Sequence, residues 1–315
     1  MLKNLHKKIS SVVNYRPLPK ATKKDREFIE NLFRSVEKLP DENTSNCIAS
    51  EKEWKENVNR LKQLILSENP RKFLRWDILT ETMVVGNDDF VLTELNQLKQ
   101  DINWNERWSK AIKEVKIGHP KPFYKYPASS ANLIHHAYHI SQFEKRASTQ
   151  IEAIDFVFEF GAGYGSMGRL FHNLGYKGAY IMYDLPIFSE LQKYFLKCIG
   201  IPIYTADSPY LEKNVACISS FDELRKILSS RTSARNALFI ATWSISEVPL
   251  ELREEIFSLV SDFPFFLIGY QNHFGEVDNV GYFDGITKQL NKSINWNNFP
   301  LEHLPGNNYL IGTRR

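Results

Sequence analysis

The stretch FVFEFGAGYGSMGRLF, residues 156–171, decides the fold, because it places four glycines in eight positions directly after an apolar run. FVFEF predicts a buried strand. Gly161, Gly163 and Gly165 then form its exit turn, and residues 166–174 form the following helix. Glycine adopts positive φ and leaves room for a ligand against the backbone, at an entropic cost. We therefore expect this turn to hold a ligand.

Short apolar runs separated by amphipathic helices continue from the glycine stretch. The runs are FVFEF, AYIMY, IPIYTA, ALFIAT and FFLIG, and the helices are expected at 187–199, 221–229 and 249–262. This alternation predicts an α/β fold of the Rossmann-like kind, with a mostly parallel sheet and right-handed crossovers. Such sheets bind ligands beyond the carboxyl ends of their strands, where the glycine turn falls.

The last stretch, SINWNNFPLEHLPGNNYLIGTRR, breaks this pattern. It contains two extended segments joined by the turn PGNN. We expect these segments to form an antiparallel hairpin at one edge of the sheet.

The front of the chain is helical. Apolar residues recur at helical spacing in five segments: 22–39, 50–67, 70–79, 90–100 and 104–116. The stretch KIGHPKPFYKYPASS, which contains proline and glycine, then interrupts the pattern. We place a domain boundary near residue 120, with a helical N-terminal lobe over 1–120 and the α/β domain over 121–315.

The composition is that of an ordinary soluble globular protein, with 43% hydrophobic and 24% charged residues and a net charge of +3. No run approaches the ~20 apolar residues of a membrane span, and the start lacks a secretory signal, so a cytoplasmic location is expected. Seven lysines and arginines precede Asp25. They favour a solvated leader over an arm for anionic lipid or nucleic acid, and no nucleic-acid partner is expected. Three scattered cysteines indicate no disulfide framework, and a homodimer stays open.

Two cofactor classes use a turn of this kind. GYGSMG, residues 163–168, matches the dinucleotide pattern G-x-G-x-x-G, which holds a pyrophosphate. The other frame is EFGAGYG, which places Glu159 at the strand end. A carboxylate there opposes a pyrophosphate and suits a ligand with ammonium or sulfonium charge. A third interpretation is that the glycines only make a tight turn.

EFGAGYG resembles the first motif of the class I, Rossmann-like, S-adenosylmethionine-dependent methyltransferases. YIMYDLP ends the second strand with Asp184, where that class places an acid on the ribose hydroxyls. Asp184 follows Gly165 by 19 residues, close to the ~20 of the related dinucleotide fold. Together with DLPIFSELQKYFL, FIATWSISEVP and SANLIHHAYHI, the chain is most similar to bacterial sugar O-methyltransferases over roughly 125–315.

The resemblance implies S-adenosyl-L-methionine as the cofactor, with these contacts: Glu159, Gly161, Gly163, Tyr164, Gly165, Asp184 and Leu185. It also implies an acid after the third strand that contacts adenine. Asp207 in TADSPY fits this role, and Asp222 in ISSFDEL is its rival. The expected hairpin agrees, because the methyltransferase sheet closes with an antiparallel last strand and a nicotinamide-binding sheet usually does not.

Methyl transfer to a sugar hydroxyl requires a base near the ends of the fourth and fifth strands. ATWSISEVP offers Glu247, and GYQNHFGEVDN offers His273, Glu276 and Asp278. His273 is the first choice, because histidine titrates near neutral pH. Glu247 is the second, and it could equally cap the helix that begins near Pro249.

HHAYH, residues 135–139, places His135 and His139 one helical turn apart. A zinc site needs a third ligand, which the spacing does not supply, so no metal is expected. The resemblance implies that Tyr138 and His139 line the mouth of an acceptor pocket. The alternative is an aromatic helix packed on the sheet.

These observations predict an S-adenosylmethionine-dependent O-methyltransferase that acts on a sugar or glycan precursor, as in polysaccharide biosynthesis. Two rival functions remain at this stage. One is a nicotinamide-dependent oxidoreductase that uses GYGSMG. The other is a catalytically silent methyltransferase-like scaffold whose lobe over 1–120 binds a partner protein.

Overall fold

The structure is a computed structural model that describes residues 17–43, 49–204, 215–229, 236–290 and 294–314. Their packing divides them into two compact units. The helical unit is the described part of Met1–Tyr138, Gly163–Leu174 and Pro186–Pro202. The sheet unit is the described part of His139–Ala162, Gly175–Leu185 and Ile203–Arg315. The boundary near residue 120 stays a prediction.

The α-helices of the described residues are α1 (Lys23–Glu37), α2 (Ala49–Ser67), α3 (Asp77–Thr82), α4 (Asp89–Lys99), α5 (Ser109–Ala111), α6 (Ala131–Ala147), α7 (Ser166–Asn173), α8 (Pro186–Cys198), α9 (Phe221–Ser229), α10 (Leu250–Leu259) and α11 (Asn279–Gln289). Shorter helical turns cover Pro70–Arg75, Trp104–Trp108, Ile151–Ala153 and Ser244–Glu247. The predicted helical front is confirmed. Helix α1 begins where predicted because Thr22 and Asp25 form a capping box. None of these helices combines the length and apolar character that crossing a membrane requires.

The β-strands are β1 (Pro122–Phe123), β2 (Tyr126–Ser130), β3 (Phe156–Phe160), β4 (Ala179–Tyr183), β5 (Val215–Ile218), β6 (Ala237–Thr242), β7 (Phe265–Gln271), β8 (His273–Phe274), β9 (Val277–Asp278), β10 (Ile294–Pro300) and β11 (Asn307–Arg314). Seven of them form the main sheet in the order β5-β4-β3-β6-β7-β11-β10. The first five are parallel and follow the 3-2-1-4-5 order of doubly wound sheets. β11 is antiparallel to both β7 and β10. The predicted fold class, with its C-terminal edge hairpin, is confirmed.

The third strand of the sheet lies elsewhere than expected. IPIYTA, residues 201–206, was the predicted strand, but in its described part only Ile203 makes an isolated bridge, to Val215. The strand is Val215–Ile218, a four-residue run buried throughout. Pro202 has no N–H to donate to a sheet, which explains why its segment contributes so little.

The core of the sheet unit depends on the alternation of side chains along β3. Phe156, Phe158 and Phe160 point to one face, where they pack with α9, α10 and α11. Burying each such ring contributes roughly 1.5–3 kcal/mol. Glu159 therefore lies on the other face of the strand, with the hydroxyl of Tyr180 from β4.

The helical unit includes α7 and α8 as well as the front helices. The rings of Phe73, Tyr164 and Phe195 meet at centroid distances of 5.4 to 5.7 Å. Arg169 of α7 forms a buried ion pair with Glu114. The helix that follows the glycine turn is thus fixed within this unit.

Candidate functional site

The glycine turn after β3 is left-handed at three alternate positions. The φ angles of Gly161, Gly163 and Gly165 are 71°, 55° and 90°. L-residues with a side chain rarely adopt these angles, so the turn needs glycine for conformational reasons alone. Gly165 is the N-cap of α7.

Gly161 also lacks room for a side chain. A Cβ there would lie 2.2 Å from Ser244 Cβ, and the Ser244 hydroxyl donates to the Phe160 carbonyl oxygen. Ser244 belongs to the turn after β6. At this position, therefore, the protein itself occupies the space that the glycine leaves.

Gly163 and Tyr164 are held within the helical unit. Gln192 Nε2 donates to the Gly163 carbonyl oxygen at 2.9 Å. Asn132 donates to the Tyr164 hydroxyl at 3.0 Å, and burial raises the Tyr164 pKa to about 12. These contacts occupy the Tyr164 hydroxyl. The cofactor contact expected of Tyr164 stays a prediction, and we assign it to the backbone of this residue.

Glu159 is 4% exposed, and the Tyr180 hydroxyl donates to its Oε2 at 2.9 Å. Burial raises the Glu159 pKa to about 8; the Tyr180 hydrogen bond lowers it and the nearby Asp184 charge raises it. The raised pKa favours the protonated carboxyl group near neutral pH, whereas attraction of a positively charged ligand requires the ionised carboxylate.

Asp184 directly follows β4, beside the end of β3. Phe160 pairs with Tyr183 in the parallel register, and the Gly161 N–H donates to the Tyr183 carbonyl oxygen at 2.8 Å. Asp184 Oδ1 accepts from the N–H of Leu185 at 2.8 Å. Leu185 is 42% exposed. Glu159, Gly161 and Asp184 thus occur together at the carboxyl ends of adjacent strands.

The adenine-contacting acid has two candidates, and the position of β5 bears on them. Asp207 lies outside the described residues. Its rival Asp222 lies in the first turn of α9, four residues after β5 ends at Ile218.

Glu247 ends the short helical turn that follows β6. Gln271 Nε2 donates to Glu247 Oε1 at 3.2 Å. The alternative role of Glu247 as a helix cap stays a prediction: the N-cap of α10 is Pro249, which makes no side-chain capping hydrogen bond. Glu247 is half-buried and lies at the carboxyl edge of the sheet.

His273 lies just after β7, on the small β8–β9 hairpin, and is exposed. Of the neighbouring acids, Asp278 caps α11 by accepting from the Gly281 N–H at 3.1 Å. Glu276 is exposed. His273 and Glu247 therefore follow neighbouring strands. The Glu247 side chain is held by the hydrogen bond from Gln271, whereas the His273 side chain is exposed.

Tyr138 and His139 are both buried. In the helical unit, the Tyr138 hydroxyl donates to Gln97 Oε1 at 3.2 Å. In the sheet unit, His139 Nδ1 shares a hydrogen bond with the Tyr309 hydroxyl. Among the described residues, no group of three His, Cys, Asp or Glu could hold a metal ion. A role at the mouth of an acceptor pocket stays a prediction for both residues.

Trp243 is a residue that sequence reasoning missed. It follows β6 with φ 66° and ψ −32°, which a bulky residue rarely adopts. Its N–H donates to the Gly269 carbonyl oxygen at 2.7 Å, and its indole N–H donates to Asn307 Oδ1 at 2.6 Å. Its ring lies 5.3 Å from that of His139. Backbone strain of this kind concentrates at functional sites, but no local sequence signal announces it.

No protein-family model and no curated relative matches the sequence. Solved structures similar to it include a human methyltransferase 10 domain containing protein, at 9% identity and a TM-score of 0.41, covering 72% of this chain and 96% of that one. Another is the glycopeptide N-methyltransferase MtfA with S-adenosyl-L-homocysteine, at 13% and 0.36, covering 56% and 88%. A third is magnesium protoporphyrin IX methyltransferase from Synechocystis PCC 6803 with bound SAM, at 11% and 0.35, covering 72% and 98%. Likenesses at these scores assign neither a cofactor nor an acceptor.

Proposed function

We propose that the chain is an S-adenosylmethionine-dependent methyltransferase that transfers a methyl group to a hydroxyl of a sugar or glycan precursor. One observation carries the proposal: a left-handed glycine turn leaves β3 beside Glu159, near the end of β3, and Asp184, directly after the adjacent β4. The antiparallel β11 beside β7 supports a methyltransferase sheet over a nicotinamide-binding one.

The residues at this edge fit such a cofactor. Asp184 offers a carboxylate, the group that hydrogen-bonds ribose hydroxyls in the related dinucleotide fold. Among the described residues other than its chain neighbours, the only atom within 4 Å of a Cβ built at Gly163 is Met83 Sδ, at 3.4 Å, which leaves room beside this backbone. Glu159 would ionise beside a positive donor, because a nearby cation lowers the pKa of a carboxyl group. The bound cofactor would supply an electrophilic methyl group on a sulfonium.

Glu247 serves as the general base in this proposal, and His273 is the alternative. The protein must align the acceptor oxygen and remove its proton, and a positioned base contributes roughly 10²–10⁴ in rate. Glu247 is half-buried and anchored by Gln271, whereas His273 is exposed.

A sugar acceptor is supported by the neutral amides at the same edge. Asn272 and Asn308 lie half-buried just after β7 and at the start of β11, and Asn308 Nδ2 donates to Asn272 Oδ1 at 2.7 Å. Amide side chains donate and accept, as recognition of hydroxyl groups requires. An acceptor other than nucleic acid and a cytoplasmic location are part of the same proposal.

Calorimetric titration of the full chain with S-adenosylhomocysteine and with NADH tests the cofactor. We expect binding of the former alone, weakened about tenfold or more in Asp184→Ala, since a ribose contact of this kind is worth 1.4 kcal/mol or more. Asp262→Ala, an exposed acid before β7, is the control and should bind as wild type. Binding of NADH alone would overturn the proposal.

Turnover tests the acceptor. Full-length protein with methyl-labelled S-adenosylmethionine is incubated with free sugars, sugar nucleotides and oligosaccharides. Transfer to a hydroxyl supports the proposal. Cofactor binding without transfer to any hydroxyl acceptor would instead favour a silent scaffold, and transfer to RNA would replace the acceptor class.

A further inference from the structure

We propose that Gln271 is a positioning residue that orients the Glu247 carboxylate for proton removal. The inference rests on the proposed function, in which Glu247 is the base. Gln271 is the last residue of β7, and Glu247 is the last residue of the Ser244–Glu247 turn that follows β6. Because β6 and β7 are neighbouring parallel strands, both residues lie at the same edge of the sheet.

The Gln271 carboxamide has one usable orientation. Its Nε2 donates to Glu247 Oε1 at 3.2 Å, and its Oε1 accepts from the Ser246 hydroxyl at 2.8 Å. The reverse orientation would set the amide oxygen against the Glu247 carboxylate. The Ser246 hydroxyl has one proton, which it shares between Gln271 Oε1 and the Trp243 carbonyl oxygen, 2.6 Å away. This shared bond ties the hydroxyl to the strained residue that precedes the turn.

The backbone on both sides of Glu247 is fixed by one side chain. Arg253 is fully buried; its Nη2 donates to the Ser246 carbonyl oxygen at 2.7 Å and its Nε to the Val248 carbonyl oxygen at 2.8 Å. These bonds bracket Glu247. Both of these hydrogen bonds from the Arg253 guanidinium go to backbone oxygens and not to the Glu247 carboxylate.

Gln271 is tied to the same arrangement from its own backbone. Arg253 Nη1 donates to Asn279 Oδ1 at 2.7 Å, and Asn279 Nδ2 donates to the Gln271 carbonyl oxygen at 3.0 Å. Hydrogen bonds therefore link Glu247 to Gln271, Gln271 to Asn279 and Asn279 to Arg253, and Arg253 in turn bonds the backbone on either side of Glu247. Both ends of the Gln271–Glu247 bond start from fixed main chain.

A neutral donor suits a general base. Gln271 fixes the direction of the carboxylate without the charge that an arginine or lysine would add, so the carboxylate keeps its capacity to accept a proton. Because a hydrogen bond to the ionised form favours that form, its loss must move the ionisation to higher pH.

Gln271→Leu in the full chain tests the inference against its control, Asn298→Leu, which removes an exposed amide of the same sheet, on β10, that bonds Tyr270 instead. We expect Gln271→Leu to lower kcat about 10- to 100-fold with KM within about threefold, since a positioning loss acts on the transition state. In a plot of kcat against pH, the acidic limb should move to higher pH by about half to one pH unit. A lower kcat with an unmoved acid limb would overturn the positioning role.

A readout independent of turnover separates this inference from the proposed function. The Glu247 carboxyl carbon is titrated by ¹³C NMR and assigned with Glu247→Gln. A midpoint unchanged by Gln271→Leu refutes the inference even in an active enzyme. A raised midpoint in a protein that methylates no acceptor supports the contact and overturns the proposed function. If Gln271→Leu does not fold, Gln271→Asn withdraws the amide by one methylene, and the same outcomes apply.

Discussion

Ser244 fills the space that a side chain at Gly161 would need, with its Cβ 2.2 Å from the position of a Gly161 Cβ. Its hydroxyl also donates to the carbonyl oxygen of Phe160. The exit turn of β3 is therefore packed directly against the turn that carries Glu247. A change in either turn should be felt in the other.

Gly161→Ala should lower the free energy of unfolding by about 2–4 kcal/mol, because it adds an overlap with Ser244 to the cost of a left-handed alanine. Gly175→Ala is the matched control: its φ is 88°, and among the described residues no atom beyond its chain neighbours lies within 4 Å of a Cβ built there. We expect it to cost about 1–2 kcal/mol, the conformational part alone. Urea unfolding measures both. The added Ser244→Gly should recover part of the Gly161→Ala loss, and no recovery would argue against the overlap.

Glu159 should make the protein less stable as pH rises. Folded Glu159 holds its proton up to a pKa of about 8, against a usual value of 4.5, so the folded state binds more protons between these values. The free energy of unfolding then falls as pH increases through this window. Glu159→Gln should flatten that fall, and the exposed Glu251→Gln should not. Urea unfolding at pH 5, 6.5 and 8 measures the free energy of unfolding of the wild type and both variants. An equal dependence on pH in all three proteins would contradict a raised pKa of Glu159.

Replacing Arg253, which lies on α10 and bonds the backbone around Glu247, should lower the free energy of unfolding substantially. Arg253→Met leaves the carbonyl oxygens of Ser246 and Val248 without their donor, at a cost of about 2–4 kcal/mol. Arg253→Lys should recover only part of it, because an ammonium cannot reproduce the planar fork. Arg225→Met removes an exposed guanidinium, and we expect a change within about 1 kcal/mol. Chemical denaturation compares the three, and full recovery by lysine would contradict the role of the fork.

The buried pair of Glu94 and His135 should tolerate joint replacement better than loss of one member. His135 Nδ1 lies 2.8 Å and 2.9 Å from the two oxygens of Glu94, whose exposure is 0%. His135→Ala removes that donor from a buried carboxylate, which costs about 3–5 kcal/mol. The double variant Glu94→Leu/His135→Leu should unfold closer to wild type. If thermal and urea unfolding rank the double variant below the single one, the charge argument is wrong.

The sequence predicts the fold where a signal is local and repeated. The glycine stretch, four of the five apolar runs and the final hairpin each have such a signal, and each matches an observed element. The third strand does not, because Val215–Ile218 has only four residues, too few for periodicity to separate from a loop. Residues 201–206 form a longer apolar run, which is why the sequence predicts the third strand there.

The candidate site divides in the same way. Glu159 and Asp184 could be selected as candidates because each lies within one residue of the end of its strand, next to the glycine turn or in the DLP segment. Ser244, Trp243 and Gln271 could not, since their roles arise from contacts such as Ser244 with Phe160, 84 residues away. The pKa of Glu159 likewise depends on burial and on Tyr180, neither of which the motif encodes.

The position of β11 between β7 and β10 also has a consequence during synthesis. Until the ribosome has released residues 307–314, β7 and β10 both lack the partner that joins them. A nascent or C-terminally clipped chain therefore presents two unpaired strand edges, the feature that templates aggregation. Truncation before Asn307 would leave both of these strands without their shared partner.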